Sequence, residues 1–148
     1  MILITLQEII DDHAQIIRQY GGLEGIRNIG LLASAIDMPK ANMFGEHLHP
    51  TIFDKAAAYL FHIICNYPFV DGNKRTGTMA ALTFLRKNRL HIELTEEQIL
   101  GLEEVVVSTA EGKTTKEQIA KFLRSCYTGP ELSESKPEQV FTPNVIQE

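Results

Sequence analysis

Ile52-Phe-Asp-Lys-Ala-Ala-Ala-Tyr-Leu-Phe-His-Ile-Ile-Cys65 is apolar on nearly every side, the pattern of a helix buried all round at the centre of a domain. Directly after it comes Tyr67-Pro-Phe-Val-Asp-Gly-Asn-Lys-Arg-Thr-Gly77, and residues 74–88 then predict a second central helix, with Met79, Leu82, Phe84 and Leu85 available to pack. Two central helices joined by a short polar loop make this an all-α, compact helical bundle. On the N-terminal side, Leu6, Ile9, Ile10, His13, Ile16 and Ile17 recur at three- and four-residue spacing and stop at Gly21-Gly22, which predicts an amphipathic helix. A short helix is expected over 29–37. The stretch from Met38 to Thr51, with Pro39, Gly45 and Pro50, reads as a loop. On the C-terminal side, Thr95-Glu-Glu-Gln98 and Thr114-Thr-Lys-Glu117 read as capping boxes ahead of apolar runs at 99–107 and 119–123.

The joining loop has the chemistry of a phosphate site. A helix start leaves backbone N–H groups free to face an anion, Gly72 removes a side chain that would block close approach, and Lys74 and Arg75 supply neutralising charge. Asp71 is placed either to hold a divalent cation on the phosphates or to cap the helix. The pattern Gly-x-x-x-x-Gly-Lys-Ser/Thr is absent, which excludes an ordinary Walker ATPase.

Residues 67–77 resemble the active-site signature of the Fic/Doc superfamily, His-x-Phe-x-Asp/Glu-Gly/Ala-Asn-Gly/Lys-Arg, with Tyr67 in place of the His. Lys74, and Thr78 where Fic adenylyltransferases carry a second Arg, match the Doc branch, whereas Gly72 is the Fic choice. Tyr20-Gly-Gly-Leu-Glu-Gly-Ile-Arg27 and Gly30-Leu-Leu-Ala-Ser-Ala-Ile36 are similar to the N-terminal segment of Doc-like proteins, so the resemblance covers residues 1–127. It implies ATP and Mg2+ as cofactors, with Asp71 on magnesium, the backbone around Gly72 and Asn73 forming an anion hole, Lys74 and Arg75 on the phosphates, and Phe69 as a buried anchor. It also implies a flap, with a possible small hairpin, at Met43, Phe44, Gly45, Glu46 and His47 and on to His49, which aligns a target chain by backbone pairing. Without the second Arg, the family pattern implies phosphoryl transfer to a hydroxyl of a target protein such as elongation factor Tu. With both Arg residues, AMP is transferred instead.

Tyr67 stands where the resemblance implies a general base. An imidazole titrates near pH 6.5, whereas a phenol with a pKa of about 10 already holds its proton at neutral pH. Tyr67 is therefore a poor base, and the expected activity is weak or absent. A homologue weakened or repurposed in nature and a substitution that lets a toxic protein be produced both fit.

The bulk properties bound the setting. A chain of 148 residues with 44% hydrophobic residues buries one core. No apolar run spans a bilayer and no signal peptide is evident, so the cytoplasm is the expected location. Cys65 and Cys126 read as reduced thiols. A net charge of −5 argues against general nucleic-acid binding, while a basic patch of Lys74, Arg75, Arg86, Lys87 and Arg89 suits a nucleotide. Residues 128–148, with three prolines and no periodic apolar stripe, are expected to be a disordered tail. His47 and His49 read as incidental loop histidines rather than a metal pair, His62 as a hydrogen-bonded core residue, and Asn66 as either a helix cap or a support behind the loop.

Ser108-Thr-Ala-Glu-Gly112 is one residue short of the family's inhibitory pattern, Ser/Thr-x-x-x-Glu-Gly/Asn. Restraint would then come from a separate antitoxin chain. Three functions follow from the sequence: a Doc-like toxin that phosphorylates a translation factor, a Fic-type adenylyltransferase, and a catalytically inactive binding module.

Overall fold

The computed structural model describes residues 1–130 and Leu132. In chain order it forms α1 (Leu6–Tyr20), α2 (Ile29–Asp37), a 3-10 turn at Met38–Lys40, β1 (Asn42–Met43), β2 (Glu46–His47), α3 (Ile52–Asn66), α4 (Asn73–Lys87), α5 (Glu96–Ala110) and α6 (Lys116–Ser125). The fold is the expected all-helical bundle with a small hairpin. The expected tail, apart from residues 128–130 and Leu132, lies outside the described residues.

Four helices begin on reciprocal capping boxes: Thr5 with Glu8, Thr51 with Asp54, Thr95 with Gln98, and Thr115 with Gln118. Each box satisfies two N–H groups that a helix start would otherwise strand. The last box corrects the expected pair of Thr114 and Glu117 by one residue. The Thr114 hydroxyl is instead turned back to Ser108 Oγ, 2.5 Å away, at the end of α5.

Helix α3 lies at the centre, packed against α2, α4, α5 and α6. Phe53, Ala56, Ala57, Tyr59, Leu60 and Ile63 on it have no exposed surface. Helix α4 lies close against it because the facing residues are small: Gly77, Ala80 and Ala81. A Cβ on Gly77 would come within 3.1 Å of Ile64 Cγ1 and 3.2 Å of the Leu60 carbonyl oxygen. Of the α4 residues expected to pack, Phe84 and Leu85 are fully buried, while Met79 and Leu82 are only half-buried. Burying a side chain such as Phe84 contributes roughly 1.5–3 kcal/mol, and its removal would cost more through the cavity left behind. The two helices thus form a stiff frame for the loop between them.

Asn42 pairs with His47 and Met43 with Glu46 in an antiparallel hairpin. Its two-residue turn, Phe44-Gly45, has φ of 53° and 82°, the left-handed pair that matches the twist of hairpin strands. Among the described residues no helix is long and apolar enough to cross a membrane.

Candidate active site

Residues 67–72 leave α3 through a left-handed turn and enter α4 through a second one. Tyr67, at φ 52°, ends α3, and Gly72, at φ 79°, starts α4. The Cβ that Gly72 lacks would lie 3.2 Å from Ile17 Cδ1 and 3.6 Å from the ring of His13. The space that the glycine frees therefore lies against α1, and its role in the fold is the positive φ and the close seat on that helix.

A partner segment from the α1–α2 connection is zipped along the loop. Arg27 and Asn28 N–H donate to the Pro68 carbonyl at 2.7 and 3.0 Å, Val70 N–H donates to the Gly25 carbonyl at 3.0 Å, and Ile26 bridges Phe69 in antiparallel fashion. Leu23 N–H donates to Asp71 Oδ2 at 3.1 Å. Gly22 makes this possible, since a Cβ there would sit 2.7 Å from the same carboxylate oxygen. The sequence marks 20–27 only through its resemblance and its glycines; the pairing with 68–71 is long-range and leaves no local periodicity.

The side chain of Asn73 is turned inward, 5% exposed, and its amide spans the loop. Phe69 N–H donates to Asn73 Oδ1 and Asn73 Nδ2 donates to the Phe69 carbonyl, both at 3.0 Å. Phe69 itself has no exposed surface. His13 on α1 stacks on the Phe69 ring, centroids 3.7 Å apart and planes 6° apart, and its Nε2 lies 2.8 Å from the Asp71 carbonyl oxygen. On the far side, Arg27 donates to the carbonyls of Tyr67 and Asn66 at 2.6 and 2.9 Å. The Asn66 amide donates to the Leu31 carbonyl at 2.9 Å, tying the end of α3 to α2. His13 and Arg27 are site residues that sequence reading missed, since His13 reads as one member of an apolar stripe and Arg27 as a loop cation.

What faces outward is a carboxylate, a helix start and two cations. Asp71 is exposed, and N–H donation from Leu23 first and Gly72 next holds its carboxyl below the usual range. It is thus anionic at neutral pH. No side chain caps α4, so the N–H groups of its first turn, Asn73 to Arg75, have no intrahelical acceptor. Lys74 and Arg75 are exposed on that turn, the Arg75 guanidinium 4.5 Å from the centre of the Tyr20 ring. This donor set fits a magnesium-bound phosphate chain: one carboxylate for a hard cation that keeps other oxygen ligands, and N–H groups with two cations for the anion. Among the described residues no three His, Cys, Asp or Glu side chains gather as a metal cluster.

The expected basic patch is divided. Lys74 and Arg75 open α4, whereas Arg86 and Lys87 close it, at the other end of a helix roughly 20 Å long. Lys87 is paired there with Glu8 of α1. Met43, Phe44, Gly45 and Glu46 are exposed on the hairpin, and His47 is half-buried. His49 is buried, and Lys116 Nζ of α6 lies 3.0 Å from its Nε2 and 3.1 Å from Nε2 of His62.

Two central helices joined by a strap that carries an exposed carboxylate, an uncapped helix start and two cations, with a small hairpin in the same bundle, define the class of protein to compare. A profile of the Fic/DOC family matches residues 3–85. The chain is 31% identical over 128 residues to Protein kinase doc of Escherichia phage P1, covering 86% of this chain and 98% of the phage protein. It is 42% identical over 73 residues to Toxin Doc of Mycolicibacterium smegmatis, a match that takes in 49% of this chain and 56% of the mycobacterial protein. The chain belongs to the Fic/Doc family, and these relatives put it on the Doc branch.

Proposed function

We propose that this chain is a Doc-like toxin that transfers the terminal phosphoryl group of ATP to a hydroxyl side chain of a target protein, a translation factor such as elongation factor Tu, with turnover held down by Tyr67. The observation that carries the reading is the uncapped start of α4, with Lys74 and Arg75 on it and the anionic Asp71 one residue before its Gly72 cap. The names of the relatives, a toxin and a protein kinase, support it.

In this reading the first-turn N–H groups of α4 take phosphate oxygens, Lys74 and Arg75 offset their charge, and Asp71 would hold magnesium. Bound there, magnesium neutralises charge on the phosphate oxygens. The hairpin Asn42–His47 aligns the target segment. The target hydroxyl oxygen forms a bond to the terminal phosphorus, the bridging P–O bond breaks, and ADP leaves. The hydroxyl proton is released to solvent water, since a phenol at position 67 already holds its own and cannot take it as a base, and this is what slows the step. Control comes from a separate antitoxin chain, in keeping with a relative named as a toxin.

Mass spectrometry tests this directly. The chain and its Tyr67→His variant are incubated with ATP, magnesium and a cell lysate, and modified proteins are weighed. The variant is expected to add phosphate about 10²- to 10⁴-fold faster than the parent. Addition of AMP would replace phosphoryl transfer by adenylyl transfer. No modification by either form, with no ATP binding, would leave only a binding role.

A further inference from the structure

We infer that His13 is a positioning residue for the phosphate loop, acting through the main chain of Asp71; this rests on the phosphate-site reading above. His13 belongs to the buried stripe of α1 with Ile9, Ile16 and Ile17, and is itself 5% exposed. An aliphatic residue would fill that volume without bringing a polar group to be satisfied. What the imidazole adds is one directed bond. The Asp71 carbonyl oxygen can only accept, so the Nε2 facing it at 2.8 Å carries the hydrogen and donates. Stacking on Phe69 at 3.7 Å, with the planes 6° apart, fixes the plane in which that hydrogen points.

The bond falls on the most pliant joint of the loop. The Asp71 carbonyl belongs to the peptide leading into Gly72, and glycine resists rotation less than any other residue. The N–H of the same peptide donates to Asp71 Oδ1 at 2.9 Å, while Leu23 N–H holds Oδ2 at 3.1 Å. Turning this peptide would swing the carboxylate away and redirect the start of α4 together. His13 holds the carbonyl end from α1, the helix whose Ile17 side chain also lies beside Gly72. The imidazole thus ties the carboxylate and the helix start to one orientation. It reaches neither phosphate nor metal itself.

Calorimetric titration of magnesium-ATP into the parent chain, His13→Phe and His13→Gln tests the assignment, with a thermal melt of each. Phe keeps the stacked ring and loses the donor; Gln loses the ring and keeps a donor at the reach of Nε2. His13→Phe is expected to weaken binding about 10- to 100-fold, as loss of a group that orients a ligand does, while His13→Gln retains most of the parent's affinity. Equal binding by parent and His13→Phe overturns the assignment, as does an equal loss in both variants, which marks a space-filling role. Should His13→Phe melt below the assay temperature, His13→Gln decides: retained affinity supports the donor role and lost affinity ends it. A parent chain that takes up no magnesium-ATP removes the phosphate-site reading and this inference with it.

Discussion

Arg27 Nε donates to the carbonyl oxygen of Tyr67 at 2.6 Å, and the same guanidinium lies 5.4 Å from the centre of the Tyr67 ring. One side chain thus holds both the main chain and the ring at position 67. With its second bond, to the Asn66 carbonyl, it also satisfies the end of α3, where Tyr67 is left-handed and the helix would otherwise strand its last carbonyls. Arg27→Ala is expected to lower stability by about 1.5–3 kcal/mol, the range for hydrogen bonds to a charged group. Arg27→Lys should recover only part, because an ammonium cannot reproduce the fork. Urea unfolding checks both, and an unchanged midpoint for Arg27→Ala would remove the role assigned to this contact.

Asn73 offers a sharper case because both of its amide bonds go to one buried residue. Removing the amide leaves the Phe69 N–H and carbonyl without their partner in a closed site. Each group so stranded costs about 1–3 kcal/mol. Asn73→Ala should therefore unfold at clearly lower urea, and Asn73→Asp, which keeps the acceptor but loses the donor, should fall between it and the parent. If Asn73→Ala matched the parent in urea, the loop would owe its shape to Phe69 burial alone.

These two residues show where the sequence was legible. Helix existence follows from local signals: the apolar run at 52–65, the stripe from Leu6 to Ile17, and the Thr-x-x-Gln/Glu boxes are each contained within a dozen or so residues. The one-residue slip at Thr114 arose because two adjacent threonines each have a suitable partner three residues on, and only packing against Ser108 separates them. The loop's outward groups, Asp71, Lys74 and Arg75, were readable as chemistry. Its inward supports were not, since His13 reaches Asp71 across 58 positions and Arg27 reaches Tyr67 across 40. The inward turn of the Asn73 side chain was hidden for another reason, because a helix-start Asn serves an anion or its own loop with the same residue type. The divided basic patch has a geometric cause: Lys74 and Lys87, close in the string, stand at opposite ends of α4.

Phe44 combines two costs at one position. It is 97% exposed and sits at φ 53°, a left-handed seat that the two-residue turn demands and that Asn or Gly fills at less cost than an aromatic residue. A contact with a target or partner chain would account for both. Phe44→Asn keeps the turn chemistry and removes the ring, so the fold should be unchanged or slightly stabilised, within about 1 kcal/mol. In the Tyr67→His background, modification of the target should drop while magnesium-ATP binding stays constant. A variant that modifies the target at the parent rate would show that the ring plays no part in recognition.

Acid should loosen the junction beneath the hairpin. The Lys116 ammonium donates to Nε2 of both His49 and His62, so both rings must be neutral there. Burial first and the Lys116 charge next hold His49 below the ordinary histidine value and bring His62 down to about 4. Lys55 of α3 adds to the repulsion at His49, and Asp54 partly offsets it. In the unfolded chain these rings gain protons near pH 6.5, so between that value and about 4 the unfolded state binds more protons than the folded one. Stability is then fully present above pH 6.5 and declines as pH falls through that window. For His62 the loss is on the order of 1–2 kcal/mol, discounted because the ring is half open to water. His62→Gln keeps an acceptor for Lys116 and cannot titrate, so its melting temperature should fall less between pH 6.5 and 4 than that of the parent. Parallel curves for the two proteins across this range would place the acid sensitivity elsewhere in the fold.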